Sequence, residues 1–246
     1  MDFDVLPGPP LAELARTTMA SVSAAVVTCA GSPALLPSTV PVRAGRTGVP
    51  ILLPRPESSL ARHLASSPAL VTIAVPAEAP FSALRLTGMT RPWLTRPGLT
   101  WAGVPRGDGT PGAAPDSGAG EPAAYPVTLQ SLEFTGAVAA PVALAQYEAA
   151  APDPFRLEAP AILHHLEHWH MAELVGCVRV HGIADAEYVI PRRLDRFGLE
   201  LLVLAPSGLA AVRLAFPDGP VTTLADVPLS IRALLTCRCT TRPSSS

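Results

Sequence analysis

Residues 70–89, LVTIAVPAEAPFSALRLTGM, carry the pattern that decides the fold. Two apolar, β-branched runs, at residues 70–75 and 83–89, flank a proline-containing connection, and this arrangement is typical of neighbouring strands. Further strands are predicted at residues 22–29, 39–43, 49–53 and 127–134. Helices are predicted between and around them at residues 11–20, 58–66 and 142–150. Short strands at close spacing, with a helix inserted, favour a small β-barrel.

The last third of the chain predicts a second module. Residues 160–176 indicate one long helix that carries a cluster of histidines. A strand, a hairpin and a final helix follow, at residues 186–196, 199–204, 209–216 and 223–236. This order of elements is typical of an α+β domain. Within the first module, residues 103–124 are mostly Gly, Pro, Ala and Asp without periodicity, which predicts a flexible loop before the strand at 127–134.

The composition excludes several classes of function. All 18 cationic side chains are arginine, so the chain has no phosphate-binding P-loop lysine and no lysine for a Schiff base. The formal net charge of −2 provides no general attraction for nucleic acid or for an anionic membrane. No apolar stretch reaches the roughly 18 residues that a membrane-spanning helix needs. We therefore expect neither nucleic acid nor membrane as a partner.

The N-terminus and the cysteines bear on the compartment. The first ten residues, MDFDVLPGPP, are acidic and broken by prolines, and they lack the basic and apolar regions of a signal peptide. The four cysteines form no Cys-x-x-Cys pair. We expect a cytoplasmic chain with reduced thiols. Cys237 and Cys239 could supply a haem thiolate or a redox pair, or they could belong to a disordered tail.

Three motifs in residues 158–238 carry a family resemblance. The segments His165–His170, Leu194–Gly198 and Val212–Phe216 resemble the small C-terminal domain of haem-utilisation proteins in the flavin-binding split-barrel superfamily, whose members are related to pyridoxamine-phosphate oxidase. Of the family's His-Met-Asn-x-Asp-His pattern, the two outer histidines are kept here. Earlier in the chain, residues 58–68 resemble the Ser-x-Leu-Ala…Pro helix of the same superfamily.

The resemblance implies an α+β chain with two domains. An N-terminal FMN-binding-type split β-barrel is expected at residues 1–154, followed by a small α+β C-terminal domain at residues 155–240 and a disordered tail at residues 241–246. Members of the superfamily are homodimers with a ligand groove at the subunit interface. They bind flavin mononucleotide (FMN) or haem there, some degrade haem, and a plant relative regulates tetrapyrrole synthesis by binding an enzyme.

The candidate site residues follow from the same resemblance. Arg43, Arg62 and His63 fall on the barrel segments that line the family's groove. Arginine clamps a phosphate or a haem propionate, and histidine can ligate haem iron or make a polar contact. An FMN-dependent oxidoreductase, a haem-binding protein, and a non-enzymatic regulatory protein that has lost its cofactor all remain open. The leading interpretation is a protein that binds flavin or haem in this groove. The missing lysines, and a tail without the axial histidine of haem-degrading members, support the cofactor-free protein as the alternative.

The histidine cluster His164-His165-Leu166-Glu167-His168-Trp169-His170 has two interpretations. His164 and His168 are one helical turn apart and could chelate zinc, as the inverted zinc-protease motif does. Alternatively, His165 and His170 hydrogen-bond within the domain or line its interface. We predict no metal site. Asp195 and Arg196 could be a charged pair at a site, but before Gly198 they favour a strand bend with the glycine at positive φ.

Overall fold

The computed structural model describes residues 9–32, 35–45, 47–77, 81–91, 124–136 and 139–236 of the 246-residue chain. Apart from Ala124, the predicted loop at 103–124 lies outside these residues, as do the predicted tail and both tail cysteines. The chain divides into two compact units. One comprises Thr18–Ala149, and the other comprises Met1–Thr17 together with Ala150–Ser246.

The unit Thr18–Ala149 contains a closed six-stranded antiparallel barrel. Its strands are β1 (Ala24–Cys29), β2 (Ser38–Ala44), β3 (Pro50–Leu52), β4 (Ala69–Pro76), β5 (Phe81–Thr90) and β6 (Tyr125–Gly136). They pair in the order β3-β2-β1-β4-β5-β6. Ile51 and Leu52 of β3 then pair with Pro126 and Tyr125 of β6, which closes the sheet on itself. A two-residue strand, β7 (Ala140–Pro141), pairs with Glu133 and Phe134 of β6 and lies outside the closed ring of six strands.

Alternation of burial along the strands, which is most regular in β4, gives each strand one apolar face for the barrel interior. In β4, Val71, Ile73 and Val75 are fully buried, whereas the residues between them are only half-buried. Inward-facing side chains at every second position fill the interior of a small barrel. Gly88 in β5 lies so close to the backbone of Thr128 that a Cβ would collide with it, and the β5–β6 register shifts beside it.

Three helices belong wholly or partly to the barrel unit: the end of α1 (Leu11–Ser21), α2 (Ser59–Ser66) and α3 (Leu144–Ala149). On α3, the buried Tyr147 donates a hydrogen bond from its hydroxyl to the carbonyl of Gly48, at 2.8 Å. The mixed α+β barrel fold expected from the sequence is confirmed, and the strands lie within a few residues of their predicted positions.

The second unit combines helices with a three-stranded antiparallel sheet. Its elements are α4 (Ala159–Trp169), α5 (Met171–Val180), β8 (Tyr188–Asp195), β9 (Gly198–Ala205), β10 (Gly208–Ala215), a 3₁₀ turn (Leu224–Asp226) and α6 (Val227–Thr236). The strands lie in the order β10-β9-β8. The predicted hairpin is confirmed, since Ala205 pairs with Gly208 across a two-residue turn.

The prediction of one helix over residues 160–176 is wrong. The helix breaks at His170, whose φ of −128° and ψ of 23° are not helical. The N–H of His170 still bonds to Leu166, and its carbonyl accepts the N–H of Leu174, so the break leaves both its backbone groups satisfied. Leu166 and Leu174 lie on either side of the break and are both buried in the same apolar core. Because both helices bury apolar side chains in this core, tertiary packing breaks the single helix that the sequence pattern predicts.

Gly198 fixes the turn between β8 and β9. Its φ of 156° lies in the region that favours glycine, and a Cβ there would collide with the carbonyl of Leu214 on β10. The Asp195 carboxylate accepts the N–H of Phe197 at 2.9 Å within the same turn. The interpretation of Asp195-Arg196 as part of a strand bend is therefore supported by the geometry of the turn.

Gly198→Ala should lower the free energy of unfolding by about 2–4 kcal/mol, because the added methyl has no room against Leu214. The control is Gly176→Ala on the exposed side of α5, where nothing lies within 4 Å of the new Cβ. That change should instead stabilise by about 0.5–1 kcal/mol. Urea unfolding followed by circular dichroism measures both, and equal midpoints for the two variants would contradict this account.

Candidate functional site

Helix α2 positions two of the three predicted site residues. Ser58 is its N-cap, with Oγ accepting the N–H of Ala61 at 3.1 Å. Leu60, Ala61 and Leu64 are buried, which fixes the rotation of the helix. In addition, the Tyr125 hydroxyl donates to the carbonyl of Ala61 at 3.3 Å and ties α2 to strand β6. The apolar face is thereby held against the barrel, and the intervening positions face away from the core.

His63 is half-buried on α2 and contacts the segment that follows β1. Its Nε2 lies 3.3 Å from the hydroxyl of Ser32, and Ser66 donates a hydrogen bond to its carbonyl. The other ring nitrogen, Nδ1, makes no hydrogen bond with any residue that the structure describes. The imidazole therefore has a free lone pair or N–H with which it can meet a ligand.

The two predicted arginines are both exposed but stand on different elements. Arg62 follows the α2 N-terminus and donates from Nη1 to the carbonyl of Glu57 at 2.7 Å. Arg43 lies on β2, opposite Ile51 of β3, and its side chain pairs with none of the described residues. No hydrogen bond within the described part of the chain joins Arg43 to Arg62 or His63. Arg62 and His63 are consecutive residues of α2, whereas Arg43 stands on β2.

These three residues offer a definite chemistry. Two guanidinium groups can bind carboxylate or phosphate oxygens, and an imidazole can bind a transition metal or donate a proton. Arg85, on β5 of the barrel, fits such a role less well. Arg85 is already paired with Glu133 at 3.3 Å on exposed faces of β5 and β6. These groups therefore suit an anionic ligand or a ligand that contains a metal.

Cys29 at the end of β1 is the thiol of the barrel unit. It is half-buried, and burial raises the pKa of its thiol. A raised pKa keeps the sulfur protonated at neutral pH, so it is a poor nucleophile and a poor thiolate ligand. Among the described residues of the barrel, the imidazole of His63 is the better metal ligand.

The α+β unit contains a network of four charged side chains that the sequence analysis missed. Glu200 on β9 lies between Arg193 on β8 and Arg213 on β10, at 3.0 and 3.9 Å. The buried Asp195 contacts Arg213 at 2.5 Å and Arg193 at 3.5 Å. Counting residues outward from the two-residue turns places Arg213 opposite Glu200, so the sequence did contain a signal for half of this network.

A second charged group surrounds the start of β9. Arg196 donates to Glu13 at 2.6 Å, and its backbone N–H donates to Asp153 at 2.8 Å. Asp153 also accepts the N–H of Phe155. Burial raises the pKa of both Glu13 and Asp153, although their bonds to Arg196 act in the opposite direction. Each group is held together by ion pairs within the unit, so we assign both a structural role.

The histidine cluster forms two pairs of neighbouring rings. His164 and His168 are exposed on α4 with their rings 4.0 Å apart, and the Nδ1 of His168 lies 2.9 Å from the carbonyl of His164. His165 and His170 stack edge to face at 5.2 Å. Within the described ranges, no group of three or more His, Cys, Asp or Glu is arranged to hold a metal ion.

No helix among the described residues is both long enough and apolar enough to cross a bilayer.

The chain resembles known proteins in structure but not detectably in sequence. No protein-family model matches it, and no curated protein matches it. A haem-binding protein from Mycobacterium smegmatis has a TM-score of 0.59 and 22% sequence identity, over 94% of this chain and 98% of that chain. A protein of unknown function from Agrobacterium tumefaciens covers 96% of this chain and 99% of its own, at a TM-score of 0.35 and 16% identity. The first likeness shows a shared fold; the second is too distant to carry an argument.

The raised pKa of Glu13 gives a pH dependence that can be measured. Because the folded chain binds this proton more tightly than the unfolded chain does, Glu13 contributes stability below its unfolded pKa, and that stability is lost as the pH rises through the folded pKa. The stability of the wild type relative to Glu13→Gln should therefore increase as the pH falls from 7 to about 4.

Urea unfolding at a series of pH values measures that difference. Glu148→Gln, at an exposed position of α3, controls for the loss of one surface charge. If the wild type instead gained relative stability towards neutral pH, the ion pair with Arg196 would outweigh burial, and our assignment of the dominant effect would be wrong.

Proposed function

We propose that this chain binds haem, or a closely related tetrapyrrole, in its barrel unit. The observation that carries the proposal is the structural likeness to the mycobacterial haem-binding protein, which extends over nearly the whole of both chains. Haem needs a ligand for its iron and cations for its two propionates. The side chains around α2 offer both kinds of group.

The residues of the barrel unit fit these needs. His63 would ligate the iron, because it is half-buried and one ring nitrogen is free of hydrogen bonds to described residues. Arg62 and Arg43 would bind the propionates from exposed positions. Cys29 is the weaker ligand, since burial keeps its thiol protonated. When bound, haem supplies redox and oxygen chemistry; the protein supplies the ligand, the charges and the exclusion of water.

The proposal concerns binding alone and assigns no catalytic step to the described residues. We propose a homodimer with the ligand at the subunit interface and a C-terminal domain at residues 155–240, as the resemblance implies. FMN in the same groove, or a fold that has lost its cofactor, are the competing outcomes of the test.

His63→Ala should weaken haemin binding by about tenfold or more and shift the Soret band, because the iron loses its imidazole. Arg62→Ala and Arg43→Ala should weaken binding less and leave the position of the band unchanged, since they contact only propionates. The measurement is a spectrophotometric haemin titration of the full, untagged chain, with FMN titrated in parallel.

The matched control is a double variant in the other unit, His164→Ala with His168→Ala. It removes the exposed imidazole pair that could bind haemin adventitiously on α4. If the control lost the Soret band and His63→Ala kept it, the binding would belong to the surface cluster and the proposal would fail. Saturable FMN binding with no haemin binding would assign the flavin instead, and binding of neither ligand would favour the cofactor-free alternative.

A further inference from the structure

Helix α5 of the α+β unit brings a cysteine and a histidine into contact. Cys177 lies in the second half of α5, and His181 is the residue at which this helix ends. The Sγ atom of Cys177 is 3.7 Å from Nδ1 of His181. Residues four apart on a helix lie on one face, so the spacing Cys-x-x-x-His places a thiol and an imidazole side by side.

The imidazole of His181 is held in the way that metal-binding histidines are held. Its Nδ1 lies 2.9 Å from the carbonyl oxygen of Cys177, to which it donates when Nδ1 carries the proton. That tautomer leaves the lone pair on Nε2, and no described residue forms a hydrogen bond with Nε2. A bond from one ring nitrogen to a backbone carbonyl orients the other nitrogen towards a metal.

Cys177 also contacts the end of the last helix, α6. Its thiol donates to the carbonyl of Leu234 at 3.5 Å, across 57 residues of sequence. Leu234 lies in the last turn of α6, where the carbonyls have no partner within their own helix. Both residues are buried in the same apolar core, which holds the end of α6 against this side of α5.

Two further thiols follow α6 directly in the sequence. The helix ends at Thr236, and Cys237 and Cys239 are the first and third residues after it. Both lie outside the described residues, but the covalent chain limits how far they can be from Leu234, to about 11 Å for Cys237 and about 18 Å for Cys239. Three of the four thiols of the chain can therefore reach the imidazole of His181.

We propose that Cys177, His181, Cys237 and Cys239 bind one zinc ion. Three thiolates and one imidazole are a complete ligand set for four-coordinate structural zinc. Binding releases the three thiol protons to the solvent, and nothing is oxidised or reduced. The expectation of no metal site came from the histidines of α4, and none of those histidines takes part here.

Zinc accounts for the whole group of residues better than a disulfide does. A disulfide would use two of the thiols and would give His181 no part. Zinc uses all four side chains and needs the reduced thiols that we expect in this chain. The ion would fasten the residues after α6 to α5, at a point where the core otherwise ends.

The double variant Cys237→Ser with Cys239→Ser tests the site without altering any described residue. The full, untagged chain is purified under reducing conditions, loaded with Zn²⁺ and dialysed, and its zinc content is measured by mass spectrometry of the metal. We expect about one zinc ion per wild-type chain and none in the double variant. His181→Ala should weaken zinc binding by at least about tenfold.

Co²⁺ loaded in place of zinc identifies the ligands. The wild type should show the intense charge-transfer absorption of thiolate-bound Co²⁺, and the double cysteine variant should lack it. Cys29→Ser removes the thiol of the barrel unit and is the matched control, which should keep the wild-type spectrum. Zinc should raise the urea midpoint of the wild type but not that of the double variant.

Three results would overturn the proposal. One is a wild type that retains no zinc after loading, and another is a double cysteine variant that retains as much zinc as the wild type. The third is loss of zinc on replacing His164 and His168 by alanine, which would assign the metal to the exposed pair on α4. Haem binding in the barrel unit is a separate matter, since His63→Ala should leave the zinc content unchanged.

Discussion

The short pairing between β3 and β6 is the constraint on which the barrel unit depends. Only Ile51 and Leu52 of β3 make it, opposite Pro126 and Tyr125 of β6. Without this contact both strands would be free edges, and the sheet would be an open layer rather than a barrel. Tyr125 also donates to the carbonyl of Ala61. The same residue therefore closes the barrel and holds the helix that presents Arg62 and His63.

The two units differ in how they bury apolar and charged side chains. In the barrel, period-two alternation alone separates the apolar interior from polar faces, and Arg85 and Glu133 pair outside. In the α+β unit, carboxylates such as Glu13 and Asp153 are buried, and they are tolerable only because Arg196 and backbone N–H groups meet them.

The proposed haem contacts and the ion network lie in different units of the chain. The proposed contacts lie on α2 and β2 of the barrel unit. The ion pairs of Arg213 with Asp195 and Glu200 link all three strands of the sheet in the other unit. A change in this network therefore tests the stability of that sheet without altering the residues that would bind the ligand.

The sequence by itself determined the local structure: the alternation of β4, the Ser58 cap of α2 and the two-residue turn before Gly208. Each follows from residues a few positions apart, so side-chain chemistry and chain geometry suffice to predict it. Tertiary structure alone decided the break at His170 and the pair of Glu13 with Arg196, which are 183 residues apart in the chain. Such features depend on which surfaces meet when the chain packs. The free energy of burial is shared among segments that are distant in the sequence, so no single segment predicts these features.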